Sequence, residues 1–198
     1  MRLDGVNFSS WVSFLKSKTD ETLPLVFYES VLPIFKKFSN AVMIYHASDE
    51  VNILFMRKKP NSQHAYGGKV YKLVSVLPSF LTVQFNKNVV KYYNVDRPAM
   101  FDARIIIPES QKDIIDYFRW RWKFSVRNSV FSFAKDCGFS KRMNGKLLKE
   151  SIEFLIENGC DWYSVDKKVR YGQLIDEYGD SIVPETSGVL KDFILSLL

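Results

Sequence analysis

A chain of 198 residues, 46% hydrophobic and 15% aromatic, carries enough apolar side chains for a sizeable core, which excludes a disordered polymer. Lys and Arg total 28 against 22 Asp and Glu, a net charge of +6 that suits a polyanionic partner without requiring one. No apolar run reaches the roughly 18 residues of a membrane span, no signal-peptide core follows Met1-Arg2, and Cys137 and Cys160 stand in no metal-ligand spacing, so the expected setting is the reducing cytoplasm with no membrane partner.

The chain opens with Arg2-Leu3-Asp4-Gly5, read as a short strand of barely three residues stopped by a turn glycine. Residues 8–15 read as a short apolar-faced helical turn and 16–20 as a polar connection. Thr19 or Asp20 caps a helix that runs to about Ser39, turns Leu25, Phe27, Val31, Ile34, Phe35 and Phe38 inward, and kinks at Pro33. Two runs rich in β-formers, 41–45 and 51–55, form a hairpin tipped by Ser48-Asp49-Glu50. Residues 57–64 are a basic, turn-rich loop, 69–86 a helix interrupted or kinked at Pro78, and 100–107 a fourth strand stopped by Pro108. The second half is mostly helical. A long, largely buried helix covers 111–135, shorter ones follow from Ser140 and over 147–157, and a strand over 168–175 precedes an amphipathic helix over 189–198.

Strand, helix, strand, strand, helix, strand is the split βαβ arrangement, so the expected fold is α/β (α+β), a ferredoxin-like palm. Residues 1–108 would form this catalytic core and 109–198 a helical extension packed on it as one unit. The first two strands then run parallel and the third returns antiparallel, which brings the end of strand one and the hairpin tip to one sheet edge. Adjacent carboxylates at a hairpin tip are ordinarily just a polar turn. Convergence of Asp4 with Asp49, beside the Gly5 carbonyl, makes instead an oxygen-only site that suits Mg²⁺. Two such ions about 3.5–4 Å apart activate an attacking hydroxyl and stabilise a leaving phosphate oxygen. Nucleotide cyclases and polymerases both use such a palm, so these residues define the reaction class better than the substrate.

Five segments in order narrow the choice: Arg2-Leu3-Asp4-Gly5-Val6-Asn7-Phe8, Ser48-Asp49-Glu50, Phe101-Asp102-Ala103-Arg104, Asp116-Tyr117-Phe118-Arg119-Trp120-Arg121, and Asn128. Together they resemble the tRNA-His guanylyltransferase family, whose members and Thg1-like relatives are 3′–5′ polymerases acting on RNA 5′ ends. The resemblance implies that Asp4 and Asp49 chelate two Mg²⁺ ions with the Gly5 carbonyl, supported by Ser48 and by Glu50 as a further catalytic residue. It implies nucleotide contacts from Gly5, Val6, Asn7, Phe8, Ser48 and Asp49. Lys69, Lys72 and, across a gap, Lys16 would hold the triphosphate, although either helix lysine reads equally as a solvated face. It puts Arg104, Arg121, Asn128 and Arg170 at the RNA or second nucleotide site, with an ion-pair role open for Arg119 and Arg121. The implied partners are ATP, GTP and a tRNA 5′ end, and the implied assembly is a homotetramer built as a dimer of dimers.

Two departures matter. The family's His-Ile-Asn-Asn motif aligns with Val126-Arg127-Asn128-Ser129, so its histidine is absent, and His46 replaces a small hairpin residue. His46 is read as a strand residue rather than a ligand, because hard cations favour oxygen. The leading expectation is a template-dependent 3′–5′ nucleotidyltransferase that repairs tRNA 5′ ends. A non-templated guanylyltransferase, an inactive RNA-binding relative and a cyclase-like enzyme on the same palm are the alternatives.

Overall fold

The computed structural model describes residues 1–57 and 63–198; the middle of the basic loop expected over 57–64 lies outside the described residues. Strands β1 (Arg2–Gly5), β2 (Ala41–Ala47), β3 (Glu50–Phe55) and β4 (Phe101–Arg104) alternate with helices α1 (Phe8–Trp11), α2 (Leu23–Lys37) and α3 (Val70–Tyr93). They lie in the order β4-β1-β3-β2 with every neighbouring pair antiparallel. β1 and β2, each antiparallel to β3, therefore run parallel to one another, as the split βαβ unit requires. β1 is four residues long and survives because it is central: it pairs with β3 on one side and β4 on the other, and the Met1 amino group donates to the Ile53 carbonyl at 2.8 Å.

Alternation along the strands feeds two cores. Leu3, Ile44, Val51 and Ile53 pack with Val26, Phe27, Val31 and Ile34 of α2 and Leu77, Leu81 and Phe85 of α3. The other face of the hairpin, with Met43, Tyr45 and Leu54, meets Phe118, Leu190 and Ile194 from the second half of the chain. Every residue of β2 is buried, as expected of a strand covered on both faces.

The second half comprises α4 (Gln111–Asp136), α5 (Leu148–Glu157), α6 (Lys167–Tyr171), β5 (Gln173–Asp176), β6 (Ser181–Ile182) and α7 (Ser187–Leu195). It also extends the sheet: β5 pairs antiparallel with β2, and β6 with β5. The strand expected over 168–175 is thus a short helix followed by a strand. Asp166 caps that helix by accepting from the Lys168 amide, and Gly172, at φ +74°, turns the chain into β5.

Three other expectations need correction. α3 is helical without interruption through Pro78 and continues to Tyr93, where Asn94 closes it at φ +54°; α2 likewise continues past Pro33. Leu25 is exposed rather than inward. α4 is not buried all round, since Trp120 and Phe124 stand open to solvent. Cys137 and Cys160 are both free. No helix among the described residues is long and apolar enough to cross a membrane.

Candidate active site

The β1–β3 register sets Arg2 opposite Asn52 and Leu3 opposite Val51, so Asp4 arrives beside the hairpin tip. Ser48 makes that tight turn at φ +55°, and its hydroxyl hydrogen-bonds the Asp49 carboxylate. Asp4, Ser48, Asp49 and Glu50 line one cavity of about 250 Å³ with Arg2, Arg121, Phe124 and Asn128. Burial and the charge of Asp4 push the Asp49 carboxyl up to about 6. Asp4 is also raised, first by burial and then by Glu50 and Asp102, against the opposing pull of Arg2 and Arg104. Two hard oxygen donors that crowd each other's charge are what a divalent cation relieves. Among the described residues no group of three or more His, Cys, Asp or Glu side chains could hold a metal. The residues that would hold a cation here are thus the two carboxylates, with the Gly5 carbonyl as the expected third donor. That set fits Mg²⁺, which keeps waters and substrate oxygens in its remaining positions, and does not fit zinc.

Glu50 is committed elsewhere. Arg121 donates to it from Nε at 2.7 Å and from a terminal nitrogen, Arg2 lies 3.9 Å away, and Asn52 donates to it at 2.7 Å. Tyr117 in turn donates to Asn52 at 2.6 Å. Arg121 is only 5% exposed, so this is a buried ion pair beneath the carboxylate edge, and of its two expected roles the side chain takes the ion-pair one. Glu50 thereby positions Arg2, whose guanidinium also reaches Asp4 at 3.4 Å.

The remaining expected residues divide by location. Gly5 has no room for a side chain, because an added Cβ would lie 2.6 Å from the Phe8 ring. Val6 donates its amide to the Met100 carbonyl, Asn7 starts α1 at φ +52°, and Phe8 is buried against Trp11, Phe27, Phe85 and Phe101. Phe8 is therefore a core residue. Asn128 is exposed and lines the carboxylate cavity, and Arg104 is exposed on β4 opposite Arg2. Arg170 is 6% exposed, donates to the Val165 carbonyl and stacks on Trp162, Tyr163 and Tyr171, so an RNA cannot reach it in this structure.

Lys69 and Lys72 are exposed at the start of α3. That end shares an apolar cavity with Met1, Phe55 and residues 105–108. It lies at the opposite end of β1 from Asp4, about 10 Å along the strand. The structure does not bring these lysines to the carboxylates.

A second cavity shares Ala47, Ser48, Ser125 and Asn128 with the first and adds Lys18, Asp20, Leu23, Pro24, His46 and Lys168. Lys16 lines neither, whereas Lys18, two residues on in the same loop, lines the second. His46 is 1% exposed, packs edge-on against Phe27, has neither ring nitrogen partnered, and burial lowers it to about 3. It is a neutral strand residue.

A family profile described as tRNAHis guanylyltransferase matches residues 1–108. A bacterial tRNA(His) guanylyltransferase (Thg1)-like protein solved in complex with ATP superposes with a TM-score of 0.85 at 26% identity, covering 97% of this chain and 85% of that one. The Saccharomyces cerevisiae tRNA(His) guanylyltransferase gives 0.77 over 92% of this chain and 86% of its own, at 20% identity, which speaks for the fold alone. In sequence, the uncharacterised protein R259 of Acanthamoeba polyphaga mimivirus is 26% identical over 88% of this chain and 68% of its own length. The Debaryomyces hansenii tRNA(His) guanylyltransferase is 30% identical over 61% of this chain, which spans 47% of that relative's length.

Proposed function

Because the chain belongs to the tRNAHis guanylyltransferase family, a family of nucleotidyltransferases, we propose that it is a template-dependent 3′–5′ nucleotidyltransferase acting on the 5′ end of tRNA or a tRNA-like RNA. The observation that carries the reading is the convergence of Asp4 and Asp49 on one cavity at the sheet edge. These carboxylates, with the Gly5 carbonyl, would hold Mg²⁺, which when bound lowers the pKa of an attacking hydroxyl and offsets charge on phosphate oxygens. Arg2, held by Glu50 and aimed at Asp4, keeps a positive charge at the same edge for a phosphate. Ser48 fixes the Asp49 carboxylate, and Asn128 supplies a neutral polar group across the cavity.

The proposed reaction has two steps. A 5′-monophosphate attacks the α-phosphorus of ATP and expels pyrophosphate, leaving an adenylylated end. The 3′-hydroxyl of the incoming nucleotide then attacks that end, forming the new phosphodiester and releasing AMP.

The alternative is a guanylyltransferase adding a non-templated G; relatives in Debaryomyces hansenii and Candida glabrata are named tRNA(His) guanylyltransferase. What favours templating is the state of the positions aligned with His-Ile-Asn-Asn. Val126 and Ser129 are buried, with the Ser129 hydroxyl donating to the Val126 carbonyl, so of these positions Asn128 is the one that lines the carboxylate cavity, while Ser129 lines the adjoining one. Incubation of a 5′-truncated tRNA with ATP, Mg²⁺ and each nucleotide in turn tests this. G should be added opposite C far better than opposite A, and equal or preferential addition opposite A would restore the guanylyltransferase reading. A homotetramer is the proposed assembly, checked by light scattering.

A further inference from the structure

Trp120 and Phe124 stand on successive turns of α4, about 6 Å apart along the helix axis. They are 56% and 47% exposed. Both rings cap the Arg121 guanidinium, which lies 4.5 Å from the Trp120 centroid and 4.7 Å from that of Phe124. Since Arg121 is buried beneath them in its pair with Glu50, the cation takes their inner faces and leaves the outer faces to solvent. The pair is therefore fixed in orientation by a buried contact rather than left as loose surface side chains. Phe124 also lines the carboxylate cavity, so the exposed rings continue directly from the proposed reaction edge.

Charge identifies the occupant. From residue 117 to 131 the helix carries Arg119, Arg121, Lys123 and Arg127 and no acidic residue. Lys123 and Arg127 are exposed, each three residues on from one of the rings, and Arg104 is exposed on the edge strand of the same sheet. Flat aromatic faces interleaved with cations are the chemistry that holds unpaired nucleic-acid bases, whose π-faces stack while their phosphates meet the charges. An acidic or apolar protein partner would leave either the rings or the cations unmatched.

We infer that Trp120 and Phe124 form a stacking platform for unpaired bases at the end of the RNA, next to the reaction edge. The inference rests on the proposed RNA activity and adds to it the surface that seats the terminal bases.

The test is equilibrium binding, without metal or nucleotide, of an acceptor-stem-length RNA hairpin that has a 5′-monophosphate and an unpaired 3′ overhang, against the same hairpin with a blunt end. The wild type should prefer the overhang. Trp120→Leu and Phe124→Leu, which keep apolar bulk and lose the ring, should each weaken overhang binding by about 5- to 150-fold, the loss of one base stack. Their blunt-hairpin affinity, heparin affinity and salt dependence should stay unchanged. Trp120→Phe should recover most of the loss. Trp120 fluorescence should be quenched by the overhang RNA and not by heparin.

Unchanged overhang binding in both leucine variants, or equal losses for overhang, blunt hairpin and heparin, overturns the platform while leaving the RNA activity standing. So does loss of a concentration-dependent self-association with RNA binding intact, which would assign the rings to a second copy of the chain. A wild type that binds Mg·ATP and no RNA overturns both the platform and the RNA half of the proposed function.

Discussion

Burial beside Asp4 holds the Asp49 carboxyl near 6 in the folded chain, whereas it ionises near 3.8 when unfolded. Between those values the folded state binds more protons, so ionised Asp49 weakens folding as pH rises through that window. Asp49→Asn should therefore abolish nucleotide transfer yet melt above the wild type at pH 7.5, by the equivalent of roughly 2–3 kcal/mol, with the difference gone at pH 3.5. Added Mg²⁺ should raise the wild-type melting temperature at pH 7.5, less at pH 5 where protons compete, and not that of Asp49→Asn. An Asp49→Asn protein that transfers nucleotide, or a wild type insensitive to Mg²⁺, would refute the ligand assignment. His46 carries the opposite sign. Its folded value of about 3 lies below the unfolded 6.5, so the unfolded chain binds the extra proton and stability is lost as pH falls from 6.5 toward 3. Wild type should lose about 2 kcal/mol more than His46→Gln between pH 7 and pH 5, read from urea denaturation at both pH values. Equal losses would mean that the imidazole is not desolvated.

The hairpin, β1 and their meeting were legible because β-formers flank a polar tip and because topology alone determines which strand ends share an edge. Pro78 reads as an interruption or kink because a proline inside a helical pattern ordinarily ends or bends it, yet α3 continues past it with Pro78 buried, and packing outweighs the lost hydrogen bond. The turn into β5 was illegible for a different reason: Arg170-Tyr171-Gly172 has no alternating pattern, and only Gly172 marks the change. At that glycine a Cβ would lie 2.5 Å from the His46 carbonyl oxygen and 2.7 Å from the Ala47 Cβ, on backbone at φ +74°. Gly172→Ala should cost at least about 2 kcal/mol and push on the hairpin tip, so transfer should fall more than stability alone explains. Wild-type activity in the folded variant would show that β5 does not brace the tip. The Glu50–Arg121 pair predicts strong coupling. Each single replacement by Met should cost about 3–5 kcal/mol, and the double replacement much less than their sum. An additive denaturation cycle would rule out the pair as the buried anchor of the edge.

Across the whole molecule, the hairpin face bearing Met43, Tyr45 and Leu54 is covered by Phe118 of α4 and by Leu190 and Ile194 of α7, so the first half alone leaves one face of its sheet unburied. Unfolding followed by tryptophan fluorescence and by far-ultraviolet circular dichroism should therefore give coincident single transitions, and residues 1–108 alone should not fold cooperatively. Separate transitions would indicate two independent units. The pairing of β5 with β2 was not readable from residue patterns, because the partner of β2 lies some 130 positions away and β5 and β6 together hold only six residues. The exposed rings of α4 were hidden likewise, since a helix dense in aromatics reads as buried whichever way it faces. The β2–β5 pairing also fixes a timetable for synthesis. A ribosome completes the hairpin early but needs roughly 3–14 s more to pass from residue 108 to the end of β5. Throughout that interval one face of the nascent sheet is wet, apolar and open along its β2 edge. The emerging chain is thus a natural client for a holdase, and slow codons placed between α3 and β5 would lower its soluble yield without altering a single residue.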